Sequence, residues 1–290
     1  MTTFASIDEL ESALQEADYL PDRGLATALF LSQALSKPLL LEGEAGVGKT
    51  EAAKALARTR GARLIRLQCY EGLDVAHAVY EWNYPRQLLH IRAAQEGTVS
   101  EDELFGPEFL IRRPLLEAID ADDPVVLLID EVDRADEEFE AFLLEVLSDF
   151  QITIPEIGTI RARRVPSVIL TSNRTRELHD ALKRRCIYHF IAYPAPEREA
   201  QIIMLRASSV AEETARAVVA AVGRLRHEPL SKPPGIAEAV DWAEAATVLA
   251  KGGASWPDAF KRSIGVAIKD EEDNVHIAPR LDAIIAGAAA

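Results

Sequence analysis

The residues Gly43-Glu44-Ala45-Gly46-Val47-Gly48-Lys49-Thr50 match the spacing G-x-x-x-x-G-K-[ST]. Glycines at these positions let the backbone curl so that successive N–H groups point at phosphate oxygens. Lys49 is expected to reach the β- and γ-phosphates as a point charge, and the Thr50 hydroxyl to ligate magnesium. The implied ligand is a nucleoside triphosphate, read as ATP with Mg2+. An ordinary glycine-rich turn is the competing reading, and the flanks argue against it: an apolar run, Leu39-Leu40-Leu41, leads in, and an amphipathic stretch from Glu51 leads out.

A second group lies downstream. The apolar run Val125-Val126-Leu127-Leu128-Ile129 delivers Asp130 and Glu131 at its C-terminal end, where open α/β sheets bind ligands. This is the Walker-B pattern, with Asp130 expected in the magnesium shell and Glu131 expected to orient and deprotonate the water that attacks the γ-phosphate. A third run, Ser167-Val168-Ile169-Leu170-Thr171-Ser172, ends at Asn173, which could sit between the two motifs and help to place that water.

These residues need a scaffold that brings strand ends together. Apolar runs recur at Pro38–Leu41, Leu64–Leu67, Val125–Ile129, Val168–Leu170 and Ile187–Ile191, and read as five strands. Amphipathic stretches such as Glu51–Arg60 and Asp136–Phe150 separate them, which predicts a parallel sheet covered on both faces. The expected fold is α/β, a P-loop NTPase αβα sandwich over residues 1–193, followed over residues 194–290 by a small all-helical lid with a C-terminal tail. Helical stretches at Arg198–Leu205, Ala211–Arg226 and Ile236–Ala250 define that lid, broken by the proline-rich segment Glu228–Gly235.

Composition narrows the function classes. With 48% hydrophobic and 27% charged residues the chain reads as globular. The formal net charge of −15 disfavours nucleic acid as partner, because it repels a phosphate backbone. No apolar run approaches a membrane span, and the start lacks the pattern of a signal peptide, so a cytoplasmic protein is expected. Cys69 and Cys186 lack metal or redox spacing and are expected to be buried structural thiols. No His/Cys cluster supports a metal other than one carried by nucleotide.

The order of Gly43–Thr50, Asp130-Glu131, Asn173 and then Ala181-Leu182-Lys183-Arg184-Arg185-Cys186 resembles the AAA+ ATPases over nearly the whole chain. The alternating segment Phe150–Arg161, read as a hairpin before the Asn173 strand, is similar to that of the MoxR-type branch. Within that branch, Leu67–Asp74, Tyr80–Pro85 and Phe109–Leu116 resemble the CoxD-like proteins linked with carbon monoxide dehydrogenase maturation. The resemblance implies a homo-oligomeric ring, expected to be a hexamer. Arg184 or Arg185, with Arg185 preferred, would reach as a finger into the neighbouring subunit's nucleotide, for which a planar, permanent cation suits phosphate oxygens. It also implies that Tyr19 or Leu20 packs on the adenine, that the Trp82 region faces the pore or the client, and that a protein client is remodelled. That client could be a metalloenzyme, and a von Willebrand A-domain protein could be a partner. One departure stands out: the family's lid contributes a sensing arginine near the start of its third helix, but Pro234–Trp242 contains none. Core packing of Tyr19 and burial of Trp82 remain open alternatives. So do a nucleic-acid motor or loader, a small-molecule kinase and a non-hydrolysing nucleotide switch.

Overall fold

The computed structural model describes residues 4–93 and 101–286. Nine strands are present among them: β1 Leu39–Gly43, β2 Arg63–Gln68, β3 Tyr80–Trp82, β4 Leu110–Arg112, β5 Val125–Asp130, β6 Gln151–Ile154, β7 Gly158–Arg161, β8 Ser167–Ser172 and β9 Ile187–Ile191. Five of them form the main sheet, in the order β2-β5-β8-β1-β9, and the other four make two two-stranded sheets, β3-β4 and β6-β7. Within the main sheet β2 and β5, β5 and β8, and β1 and β8 pair in parallel, with Gln68 beside Asp130, Ile129 beside Leu170 and Leu41 beside Thr171.

The local reasons are plain. β1 and β5 are buried along their whole length, so both faces must be apolar, and Leu39, Leu40, Leu41 and Val126 to Ile129 supply that. Full burial of one such side chain contributes roughly 1.5–3 kcal/mol. Helix Lys49–Thr59 buries Ala52, Ala53 and Leu56, three and four residues apart, on one face. Helix Glu137–Asp149 begins where the Asp136 carboxylate accepts the Phe139 N–H at 2.8 Å, and it buries Phe139, Leu143, Val146 and Leu147.

The chain divides into two compact units: the described residues of Met1–Ala17, Pro21–Glu42 and Thr50–Phe190 make one, and those of Asp18–Leu20, Gly43–Lys49 and Ile191–Ala290 the other. The first holds the sheet and a continuous core that runs from Leu40 through Trp82, Leu115 and Leu127 to Leu182. The core of the second is helical and centres on Trp242, whose indole N–H donates to the Phe260 carbonyl at 3.2 Å while its ring meets Phe260 edge-on.

The expected hairpin before the Asn173 strand is β6–β7, antiparallel with Gln151 opposite Arg161. The β3–β4 pair, in which Trp82 opposes Leu110, was not anticipated, because three-residue strands far apart in sequence carry no period-two signal. Trp82 itself is buried, edge-on to Phe105. Cys69 is buried as expected. Cys186 departs from the expectation: it is only half-buried, where helix Asp180–Arg185 gives way to β9. No helix among the described residues is long and apolar enough to cross a membrane.

Candidate functional site

Gly46 and Gly48 have φ of +76° and +97°, a region that favours glycine, so the loop's curl is built into its glycines. Lys49 opens its helix and is buried, and its Nζ donates to the carbonyls of Gly43 and Glu44, each at 2.7 Å. The ammonium is thereby folded back over the loop and not extended to solvent. Tyr19 lies beside Gly48, its hydroxyl 3.5 Å from the Gly48 carbonyl, and both Tyr19 and its chain neighbour Leu20 are half-buried.

The start of helix Ile236–Lys251 meets the same loop through backbone. The Ile236 N–H donates to the Gly46 carbonyl at 3.0 Å, and a Cβ on Gly235 would come within 2.8 Å of the Gly46 Cα. Behind that contact, Arg226 forms two hydrogen bonds with buried Glu199, at 2.7 and 2.9 Å, donates through Nε to the Pro234 carbonyl at 2.8 Å and stacks on Tyr193. Where Pro234–Trp242 has no arginine there is a glycine contact at the loop, buttressed by Arg226, the residue that follows helix Glu212–Leu225.

Thr50 comes after Lys49 in the chain, and its hydroxyl stands 3.1 and 3.2 Å from the two Asp130 oxygens. The Thr171 hydroxyl also donates to Asp130, and it accepts the Glu131 backbone N–H at 2.9 Å. Glu131 has φ of +55°, so the chain turns sharply as it leaves β5. Its carboxylate, 35% exposed, receives the Gln68 amide at 3.0 Å, Asn173 Nδ2 at 3.4 Å and Arg134 Nε at 3.4 Å. Asn173 is held in turn by buried Asp133, which accepts its N–H at 3.2 Å and the Thr175 N–H and hydroxyl at 2.8 and 2.7 Å.

Asp130, Glu131 and Asp133 concentrate negative charge beside β2. Their effect reaches Cys69, whose thiol is pushed up to about 12, by burial first and then by these three carboxylates. Among the described residues no three His, Cys, Asp or Glu side chains form a ready metal cage. Magnesium carried by nucleotide does not need one: it takes one or two protein oxygens and completes its shell with phosphate and water. The Thr50 hydroxyl and the Asp130 carboxylate are hard oxygen donors in contact, and they fit that role.

The structure thus brings Thr50, Asp130, Glu131 and Asn173 together. Arg184 and Arg185 stand apart from this group, exposed on the last turn of helix Asp180–Arg185, with no hydrogen bond or ion pair to it among the described residues. Sequence reasoning missed Arg66, Gln68, Asp133 and Thr171. For Arg66 and Gln68 a signal existed: polar residues two apart on a strand share a face. Asp133 and Thr171 gave none, since a polar residue after or within a strand is commonplace.

Residues 39–193, more than half of the chain, match the ATPase family associated with various cellular activities (AAA). Among curated proteins the chain is similar to the ClpA homolog protein of Fuscovulum blasticum, 29% identical over 178 residues that span 58% of this chain and 20% of that one. It is also similar to Chaperone MoxR1 of Mycobacterium tuberculosis, 27% identical over 172 residues, 57% of this chain and 39% of that one. The matches therefore cover well under two thirds of either relative's length. A solved structure from Cytophaga hutchinsonii, of a candidate ATPase, is similar with a TM-score of 0.50 and 16% identity, covering 97% of this chain and 93% of that one, a likeness of fold alone. With the glycine loop, the carboxylate pair and the polar strand end in the required order, the chain belongs to the AAA ATPase family.

Proposed function

We propose that this chain hydrolyses ATP with Mg2+ and uses the energy, within a homo-oligomeric ring, to remodel a protein client. The observation that carries the reading is the placement of Glu131: adjacent to the metal-binding candidate Asp130, partly open to solvent and 3.4 Å from Asn173. In this arrangement the Glu131 carboxylate takes a proton from the attacking water while the Asn173 amide helps to hold that water in line. Lys49 and the loop N–H groups bind the phosphates, and Thr50 and Asp130 hold the magnesium. When bound, that ion neutralises charge on the phosphate oxygens. Tyr19 or Leu20 packs against the base.

Two features support a protein client. Helix Tyr84–Ala93 exposes Tyr84, Leu88 and Ile91, four and three residues apart, as an apolar stripe of the kind that binds protein, with Leu89 exposed beside it. One of the similar proteins is itself named a chaperone, MoxR1. The finer reading is a MoxR-type machine of the CoxD-like branch, a hexamer that matures a metalloenzyme such as carbon monoxide dehydrogenase, with a von Willebrand A-domain partner. Of the arginines that could favour nucleic acid instead, Arg161, Arg163 and Arg164, Arg163 is already paired with Asp122 at 3.0 Å.

The test is ATP turnover against protein concentration, with Glu131→Gln and Arg185→Ala alongside. Steep concentration dependence, with losses of about two or more orders of magnitude in both variants, supports a ring whose sites are shared between subunits. Turnover independent of concentration and indifferent to Arg185→Ala would return the chain to a monomeric P-loop enzyme with an acceptor still to be found.

A further inference from the structure

Asp130 is the carboxylate to which the proposed function assigns magnesium, and protein donors already crowd it. Its Oδ1 accepts from the Thr50 and Thr171 hydroxyls. Its Oδ2 accepts from Thr50 at 3.2 Å and from Arg66 twice, through Nε at 3.0 Å and Nη2 at 2.6 Å. A carboxylate offers about four acceptor directions. A further ligand on Oδ2 must therefore displace one of these donors or share with it.

The donors differ in how readily they yield. Thr171 is tied to the Glu131 N–H, and Thr50 is itself a candidate magnesium ligand. Arg66 is a long side chain, 50% exposed, reaching Asp130, only 3% exposed, from the outside of β2. Its guanidinium can turn into water at little cost, and its positive charge beside a divalent cation is repulsive.

We infer that Arg66 and the magnesium of the bound nucleotide compete for the same oxygen of Asp130, so that Arg66 sets how much magnesium the site requires. The inference rests on the ATPase reading above. Arg66 is thus a specificity-setting residue, neutralising a buried carboxylate until a divalent cation takes its place. It also donates to the Gln68 side-chain oxygen, and Gln68 donates to Glu131, so movement of Arg66 is felt at the second carboxylate as well.

Binding of a fluorescent, non-hydrolysable ATP analogue to the full chain, monitored as free Mg2+ is raised from an EDTA-buffered start, reads the requirement without turnover. Arg66→Gln should reach half-maximal binding at about tenfold lower Mg2+, the scale of a charge-assisted hydrogen-bonded pair discounted for exposure. Arg66→Lys, which keeps the charge but loses the two-pronged grip, should fall between. In EDTA without nucleotide, Arg66→Gln should melt below the unsubstituted protein, and the gap should close when Mg2+ and analogue are added.

An unchanged or increased Mg2+ requirement in Arg66→Gln overturns the inference. So does an equal loss of melting temperature in both conditions, which would make the arginine merely structural, or weak binding of the analogue at saturating Mg2+, which would make it a phosphate ligand. If the unsubstituted protein bound no analogue at any Mg2+ concentration, the ATPase reading itself would fall, and this inference with it.

Discussion

The Gly43–Lys49 loop and the cluster around Asp130 serve one proposed reaction but are built from different materials. The loop is a backbone device: Gly46 and Gly48, both with positive φ, shape it, Lys49 bonds to its carbonyls, and the Ile236 N–H meets its Gly46 carbonyl. The cluster is a side-chain device, in which Arg66 and Gln68 from β2, Thr171 from β8 and Asn173, itself anchored by Asp133, hold two carboxylates. A backbone device tolerates almost any side chain outside its glycines and Lys49. A side-chain network depends on each member, because a buried donor left without its acceptor costs the full desolvation of that group.

The largest effect should come from the loop's support. Arg226→Ala leaves Glu199 as a buried charge without its partner and should cost about 3–5 kcal/mol, read from denaturant unfolding. A loss under about 1 kcal/mol would mean that the Gly235–Gly46 contact stands without its buttress. Asp133→Ala should cost about 2–3 kcal/mol by stripping acceptors from the Asn173 and Thr175 N–H groups. It should slow turnover while nucleotide binding survives, and Asp133→Asn should recover part of the rate. Equal turnover in all three proteins would show that Asn173 needs no such support.

Gly46→Ala and Gly61→Ala sharpen the comparison further. Both positions have positive φ, +76° and +55°, and share a strain of about 1–2 kcal/mol. Only at Gly46 does the added Cβ meet other atoms, 3.0 Å from the Gly235 Cα, whereas nothing lies within 4 Å at Gly61. Nucleotide affinity should drop in Gly46→Ala alone, and an equal drop in both would refute a special role for the Gly46–Gly235 contact.

The smallest effect concerns pH. In the folded protein Cys69 stays neutral up to about 12, whereas its ordinary value is 9.0, so above pH 9 the unfolded chain loses protons that the fold retains. The stabilisation is complete below pH 9 and is lost as pH climbs toward 12. At pH 10 the unsubstituted protein should have lost about 1 kcal/mol more than Cys69→Ser, relative to pH 7. Matching losses in urea unfolding would place the thiol in water.

The sequence by itself determined the five strands of the main sheet, the loop and the paired carboxylates, because each rests on a local rule: apolar runs make buried strands, glycine spacing curls the backbone, and a strand's end presents the next residues in the chain. Asn173, expected from its position after a third apolar run to sit between the two motifs, lies 3.4 Å from the Glu131 carboxylate. What only the tertiary structure decided is which side chains hold these groups. The order β2-β5-β8 sets Gln68 beside Asp130 in register and puts Thr171 within reach of the same carboxylate, though they lie far apart in the chain. Strand order arises from how whole layers pack, and no local pattern encodes it. For the same reason Arg66 read in the sequence only as part of the strand run Leu64–Leu67, and became the counter-charge of a buried aspartate only once β2 lay against β5.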